Sequence, residues 1–188
     1  MKRILYLILL SSINIYAQKP CELAENFKDS IGTYKSTNEF LVHERVFAGN
    51  EAYIFLSLIN NNGTPALNLK TIQKSDEFIK AICMNSTTKL LFQLSNGKII
   101  TMVHNNEDNC GSFNRNPDDG KNTRFSSGLF LFLLGTIDEL KASPIQLMRV
   151  QNGSDTKDFV MVREFTSELT RKVNNPENFF IDNLYCIE

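Results

Sequence analysis

Leu90-Leu91-Phe92-Gln93-Leu94-Ser95-Asn96-Gly97-Lys98-Ile99-Ile100-Thr101-Met102-Val103 is the stretch that decides the fold. Two β-prone apolar runs flank Asn96-Gly97, a pair suited to a two-residue hairpin turn because both central residues of a type I′ turn need positive φ. With Asn96-Gly97 as that loop, facing residues have numbers that sum to 193. Leu94 then faces Ile99, Phe92 faces Thr101 and Leu90 faces Val103. Side chains alternate across a strand, so Leu90, Phe92, Leu94, Ile99, Thr101 and Val103 form the expected core face.

The same register reaches the cysteines. The chain has four: Cys21, Cys83, Cys110 and Cys186. Four cysteines permit three connectivities. The numbers 83 and 110 also sum to 193, so extending the hairpin sets Cys83 opposite Cys110 at disulfide-compatible separation. A bulge in the poor strand Asn105–Asn109 would break that count. The expected pairs are Cys83–Cys110 and, by elimination, Cys21–Cys186, which staples the two ends of the domain.

Further from the hairpin, alternation and turn chemistry continue. Phe40–Phe47 reads as a strand and Ala48-Gly49-Asn50-Glu51 as a turn. Ala52–Ile59 is a second strand, Asn60–Gly63 another turn, and Ala66–Ile72 sets Leu67, Leu69 and Thr71 on one face. Glu22–Asp29 reads as a short helix with Leu23 and Phe27 at i, i+4, and Asp76–Ile82 fits a helical turn capped by Ser75 or a strand. Asn105–Asn122 reads as a long surface loop and Gly128–Leu134 as a buried strand. Thr136 and Glu139 match a capping box for a helix running to about Ala142. Ile145–Val150 and Asp158–Arg163 flank a turn at Asn152-Gly153. Phe165, Leu169 and Val173 suggest an amphipathic helix, and Asn175-Pro176 starts a last helix with Phe180, Leu184 and Ile187 on its apolar face. The expected fold is α+β: a mainly antiparallel, hairpin-rich sandwich or partly closed sheet with short helices, one of them C-terminal.

Residues 1–17 have the layout of a cleavable export signal. Lys2 and Arg3 precede the apolar run Ile4–Leu10, and Ala17 is the small residue before the cut. The run is far shorter than the roughly 20 apolar residues of a spanning helix. Residues 18–188 are then one exported domain, secreted or periplasmic, without a transmembrane segment, and large enough for a sizeable core. Cys21 lacks a preceding Leu-Ala-Gly pattern, so lipidation is not expected. After loss of Lys2 and Arg3 the chain carries 18 basic and 21 acidic residues. That balance gives no electrostatic case for nucleic acid or anionic lipid. With 14 Phe and no Trp, the aromatics read as core rather than as a sugar-stacking surface.

The candidate binding loop runs from His104 through Glu107, Asp108, Asp118 and Asp119. Those carboxylates invite calcium, but with Gly120 at the glycine position of an EF-hand, Pro117 and Arg115 fall where ligands belong. No other cofactor is expected. No Gly-x-Ser-x-Gly, His-Glu-x-x-His or Gly-rich phosphate loop occurs. His43 sits in a strand, and His104 lies beside the polar loop near Cys110.

The order of the Leu94–Ile100 turn region, a loop with Cys110, Thr136-Ile137-Asp138-Glu139-Leu140 and Ile145-Gln146-Leu147-Met148-Arg149-Val150 resembles small uncharacterised exported bacterial proteins. The likeness spans roughly residues 88–187 and implies a β-rich domain with a C-terminal helix, lending no catalytic residue. The sequence leans away from an enzyme, towards a binding or structural role with an unknown ligand or envelope protein as partner. The alternatives are an interaction subunit of a cell-envelope assembly and a hydrolase-like enzyme using His104 and Cys110.

Overall fold

Two turns whose central residues both have positive φ, Ala48-Gly49 (47° and 80°) and Asn62-Gly63 (52° and 82°), set the middle of the molecule. They join β3 (Phe40–Phe47), β4 (Asn50–Asn61) and β5 (Thr64–Ser75) into a continuous meander. The computed structural model describes residues 20–106 and 108–188; the expected leader, residues 1–17, lies outside them. Before the meander come β1 (Leu23–Lys28) and β2 (Thr33–Thr37). After it come β6 (Thr88–Leu94), β7 (Ile99–His104), β8 (Ser112–Arg115) and β9 (Asn122–Leu131). Helix α1 (Thr136–Ala142) leads to β10 (Ile145–Asn152) and β11 (Asp155–Val160). The small hairpin β12 (Phe165–Thr166) and β13 (Val173–Asn174) precedes a short 3-10 turn (Pro176–Asn178), helix α2 (Phe179–Asn183) and a last 3-10 turn (Leu184–Ile187).

Eleven strands make one antiparallel sheet, in the order β1-β2-β4-β5-β9-β7-β6-β10-β11. β3 takes the part of the β4 edge that β2 leaves free, and β8 takes the part of the β9 edge that β7 leaves free. The expected α+β, mainly antiparallel class is what the chain adopts, and the sheet is not closed. It curls until the side strand β3 meets the terminal strand β11 through side chains: the His43 ring on β3 lies edge-on to Phe159 on β11, with centroids 5.0 Å apart. The β7–β9 pairing, only Val103↔Leu131 and His104↔Phe130, is where the two halves of the sheet join.

Register decides which side chains line the inner face. Ile54, Leu56 and Leu58 on β4 stand against Thr71, Leu69 and Leu67 on β5, which stand against Ser126, Gly128 and Phe130 on β9. At the Phe40 end this face is filled. Phe180 packs edge-on to Phe92 at 5.0 Å and to Phe179 at 5.1 Å, while Phe179 lies 5.7 Å from Phe40. Phe179, Phe180, Leu184 and Ile187 are all buried, so the expected apolar face of the last helix is borne out. The Cys21–Cys186 disulfide closes this end, with Cα atoms 5.5 Å apart. Lys141 pairs with Glu188, and the Asn60 amide donates to the Ile187 carbonyl.

Several expectations need correction. The central hairpin runs in register 192, with Phe92↔Ile100 and Leu90↔Met102. Its loop has three residues, the Leu94 amide donates to the Lys98 carbonyl, and at the tip only Gly97 has positive φ (85°). The α1–β10 connection holds this wider turn: Ser95 N–H donates to the Pro144 carbonyl and Asn96 N–H to Ser143 Oγ. The β6 half of the core face stands (Leu90, Phe92, Leu94), but its β7 partners are Ile100, Met102 and His104, leaving Ile99 exposed at 63%.

Glu22–Asp29 is not a helix; it contains β1, because pairing with β2 stacks Phe27 on Tyr34 at 5.3 Å. Residues 76–82 are neither helix nor strand. The Asn122 amide donates to the carbonyls of Asp76 and Glu77, and Arg124 Nε donates to that of Ile79. Those carbonyls are thereby taken from a helical ladder. The 105–122 segment contains β8, which pairs with β9 as a further hairpin. The buried strand expected at Gly128–Leu134 starts earlier and ends at Leu131, and the strand expected at Asp158–Arg163 is β11, Asp155–Val160. Helix α1 has the expected span, but Gly135 at φ 79° precedes it without a side-chain cap. Thr136 Oγ1 donates instead to the Leu133 carbonyl, and Glu139 pairs with Lys98 at 2.6 Å. Phe165, Leu169 and Val173 form no helix. Ser167 Oγ and Glu44 Oε1 accept the amides of Thr170, Glu168 and Leu169, folding the segment into the β12–β13 turn.

Candidate functional site

The crossover from β5 to β6 builds the site. These strands are separated in the sheet by β9 and β7, and residues 76–87 cross between them over the inner face, where Ile82 and Met84 line a cavity. The segment is pinned along its length. Asn122 and Arg124 hold its start, and Met84 exchanges backbone hydrogen bonds with Asn109, 2.8 Å each way. The Asn152 amide donates to the Cys83 carbonyl. Cys83 and Cys110 are joined, Cα atoms 3.8 Å apart, so both expected disulfides are present and no described cysteine is free. The Met84↔Asn109 bridge runs in register 193, so the count that fails in the hairpin holds at the disulfide.

Between this strap and the sheet lies a cavity of about 520 Å³. It occupies the half of the inner face opposite the α2 plug. Ile54, Leu69, Met84, Val150 and Phe159 form its apolar wall, and Thr71, Gln73 and Ser126 its polar floor. This balance of apolar wall and a few polar groups, and this size, are those of small-molecule pockets. Gly128 lets Met84 of the strap approach β9 closely: a Cβ there would lie 2.7 Å from Met84 Sδ and 3.0 Å from His104 Nε2. A second depression of about 500 Å³, beside β3 and β12, is lined by Glu44, Arg45, Val46, Phe47 and Glu168 without core side chains.

The charged lining sits toward the open end. His43 and Arg45 come from β3, Lys157 and Asp155 from β11, and Asn152 from β10. Burial, then the Arg45 guanidinium, holds the His43 imidazole below its ordinary 6.5. Tyr53 also borders the cavity; burial and its hydrogen bond to Glu51 push its phenol up to about 12, so it stays protonated. Glu51 carries Lys121 at 2.7 Å and Lys74 at 3.6 Å, and the Lys121 hydrogen bond holds its carboxyl below the usual range.

The residues expected to form a loop site are not brought together. His104 is buried at 3% exposure, edge-on to Phe130 at 5.2 Å, within the core beside Gly128. Glu107 lies outside the described residues. Asp108 is exposed at the disulfide end, whereas Asp118 and Asp119 are exposed in the β8–β9 turn. The four residues of β8 separate them, about 13 Å at roughly 3.3 Å per residue. Among the described residues no three His, Cys, Asp or Glu side chains converge as metal ligands. Cys110, in its disulfide, carries no thiol. The lining residues His43, Arg45 and Lys157 were not singled out as a binding group. Their signal is the spacing His43-x-Arg45, which places both on one strand face once the β3–β4 register is known.

Two disulfides fit an oxidising, extracellular type of environment, and no helix among the described residues is long and apolar enough to cross a membrane. Comparison of the chain with protein-family models, with curated proteins and with solved structures gave no match.

Proposed function

We propose that this is an exported binding domain, secreted or periplasmic, that takes a small amphipathic molecule into the strapped half of its inner face. The observation that carries this reading is the 520 Å³ cavity whose apolar wall is continuous with the core while its mouth is polar. A core filled end to end would place aromatic or aliphatic side chains there. Instead β5 supplies Thr71 and Gln73, and β9 supplies Ser126, at these inner positions. The strap and its disulfide hold the pocket in shape before a ligand arrives, which lowers the ordering cost of binding. The export assignment is supported by the 1–17 segment and by the two disulfides.

The test uses N-phenyl-1-naphthylamine, a neutral dye that brightens in apolar surroundings. Titration into the disulfide-intact domain is expected to give saturable one-to-one enhancement. Thr71→Phe, which fills the cavity from its floor, is expected to abolish enhancement while the thermal transition is retained. Equal enhancement in the folded variant would refute the pocket.

A further inference from the structure

Resting on the binding role proposed for the cavity, we propose that its ligand is an amphipathic anion: an apolar body seated against Met84 and Phe159 and a single carboxylate-like group held between Arg45 and Lys157. Two edge strands of the curled sheet, β3 and β11, meet at His43 and Phe159. Arg45 lies two residues beyond His43 on β3, and Lys157 two residues before Phe159 on β11. Both therefore stand on the inner face and line the cavity on opposite sides of the seam. Both lie on the mouth side of the apolar wall, since Arg45 pairs with Ala52 and Lys157 with Val150, away from the end that Phe180 fills.

Neither cation is in an ion pair among the described residues, so both are open to a ligand charge. Neither neighbouring carboxylate, Glu44 or Glu51, pairs with Arg45 or Lys157. Glu44 accepts the amides of Glu168 and Leu169, and Glu51 holds Lys121 and Lys74. Asp155, further out on β11, is the acidic member of the lining and leaves a net positive charge beside neutral His43. A headgroup bearing one negative charge completes that balance, and a cationic headgroup would meet Arg45 and Lys157 directly. Arg45 presents a planar fork suited to a carboxylate.

The experiment displaces the bound dye with decanoate, decanol and decyltrimethylammonium at pH 7.5, on the wild-type domain and on Arg45→Gln/Lys157→Gln. Both side chains are exposed, so the double variant keeps the fold. Exposed charge contacts are worth roughly a factor of three each. Decanoate is therefore expected to displace dye about tenfold more tightly than decanol, with decyltrimethylammonium weakest. The double variant should bring decanoate to the level of decanol, with the decanoate-to-decanol ratio as the readout. As an independent readout, decanoate should raise the His43 titration followed by NMR, because a carboxylate beside the ring offsets Arg45. Equal binding of the three probes, or a decanoate preference that survives in the double variant, would overturn the anion assignment while leaving the pocket standing. Failure of the dye to bind would overturn the pocket and the assignment together.

Discussion

The inner face of the sheet ends in two contrasting ways. At the Phe40 end the C-terminal segment plugs the curl, and Phe92, Phe179 and Phe180 are all at most 1% exposed. At the Phe47 end an irregular strap crosses instead, and polar inner positions leave about 520 Å³ beneath it. The same curled sheet serves both: the strands run through, and only the side chains and the covering segment change. Each end has its own disulfide, Cys21–Cys186 at the plug and Cys83–Cys110 at the strap. The comparison teaches that stability and the proposed binding rest on different groups, because those that anchor the plug are not those that line the cavity.

The largest effects that could break this comparison come from the disulfides. The pairs span 165 and 27 residues, for which the chain-entropy account gives about 5 and about 3.5 kcal/mol. Cys21→Ser/Cys186→Ser should therefore lower stability more in denaturant unfolding, yet leave dye affinity of the folded fraction unchanged. Cys83→Ser/Cys110→Ser should lower stability less and weaken dye binding, because the strap is released. The reverse pattern in the two titrations would end the assignment of one disulfide to each function. Next, Phe180→Ala should cost about 3–5 kcal/mol, the usual range for a buried aromatic, with dye binding retained at temperatures below the transition.

The smallest effect sharpens the comparison at the open end. Burial and Arg45 lower the His43 pKa in the folded chain relative to its ordinary 6.5. The unfolded chain then binds more protons between the two values, so this contribution to stability is complete above about pH 6.5 and is lost as pH falls through the folded pKa. His43→Gln should flatten the fall in unfolding free energy just below pH 6.5. The loss that starts lower, where protonation removes the Glu51 pairing with Lys121, should remain.

Much of this fold was legible in local chemistry, and the failures share a physical cause. Alternation placed β3, β4, β5 and β10 well because their turns, such as Ala48-Gly49 and Asn62-Gly63, act within a few residues. The Asn96-Gly97 turn differs because partners outside it, Ser143 and Pro144, hold a three-residue loop. That slip by one residue flips every β7 side chain. It sends Ile99 to solvent and His104 into the core, so a histidine expected beside the polar loop lies behind Gly128. The cysteine pairing survived because the register returns to 193 at Met84 and Asn109. Residues 76–82 were ambiguous alone since Asn122 and Arg124, more than forty residues on, satisfy their carbonyls. The cavity was illegible for the same reason: its lining comes from β3, β4, β5, β9, β10, β11 and the strap, joined only by the curl of the sheet.

The most direct measurement is methyl NMR of the disulfide-intact domain as N-phenyl-1-naphthylamine is added. The account predicts shifts confined to Ile54, Leu69, Met84 and Val150 at the strapped end, with Leu58, Leu184 and Ile187 at the plug unmoved. Shifts centred on the plug methyls, or on exposed Ile31 and Leu134 alone, would contradict it.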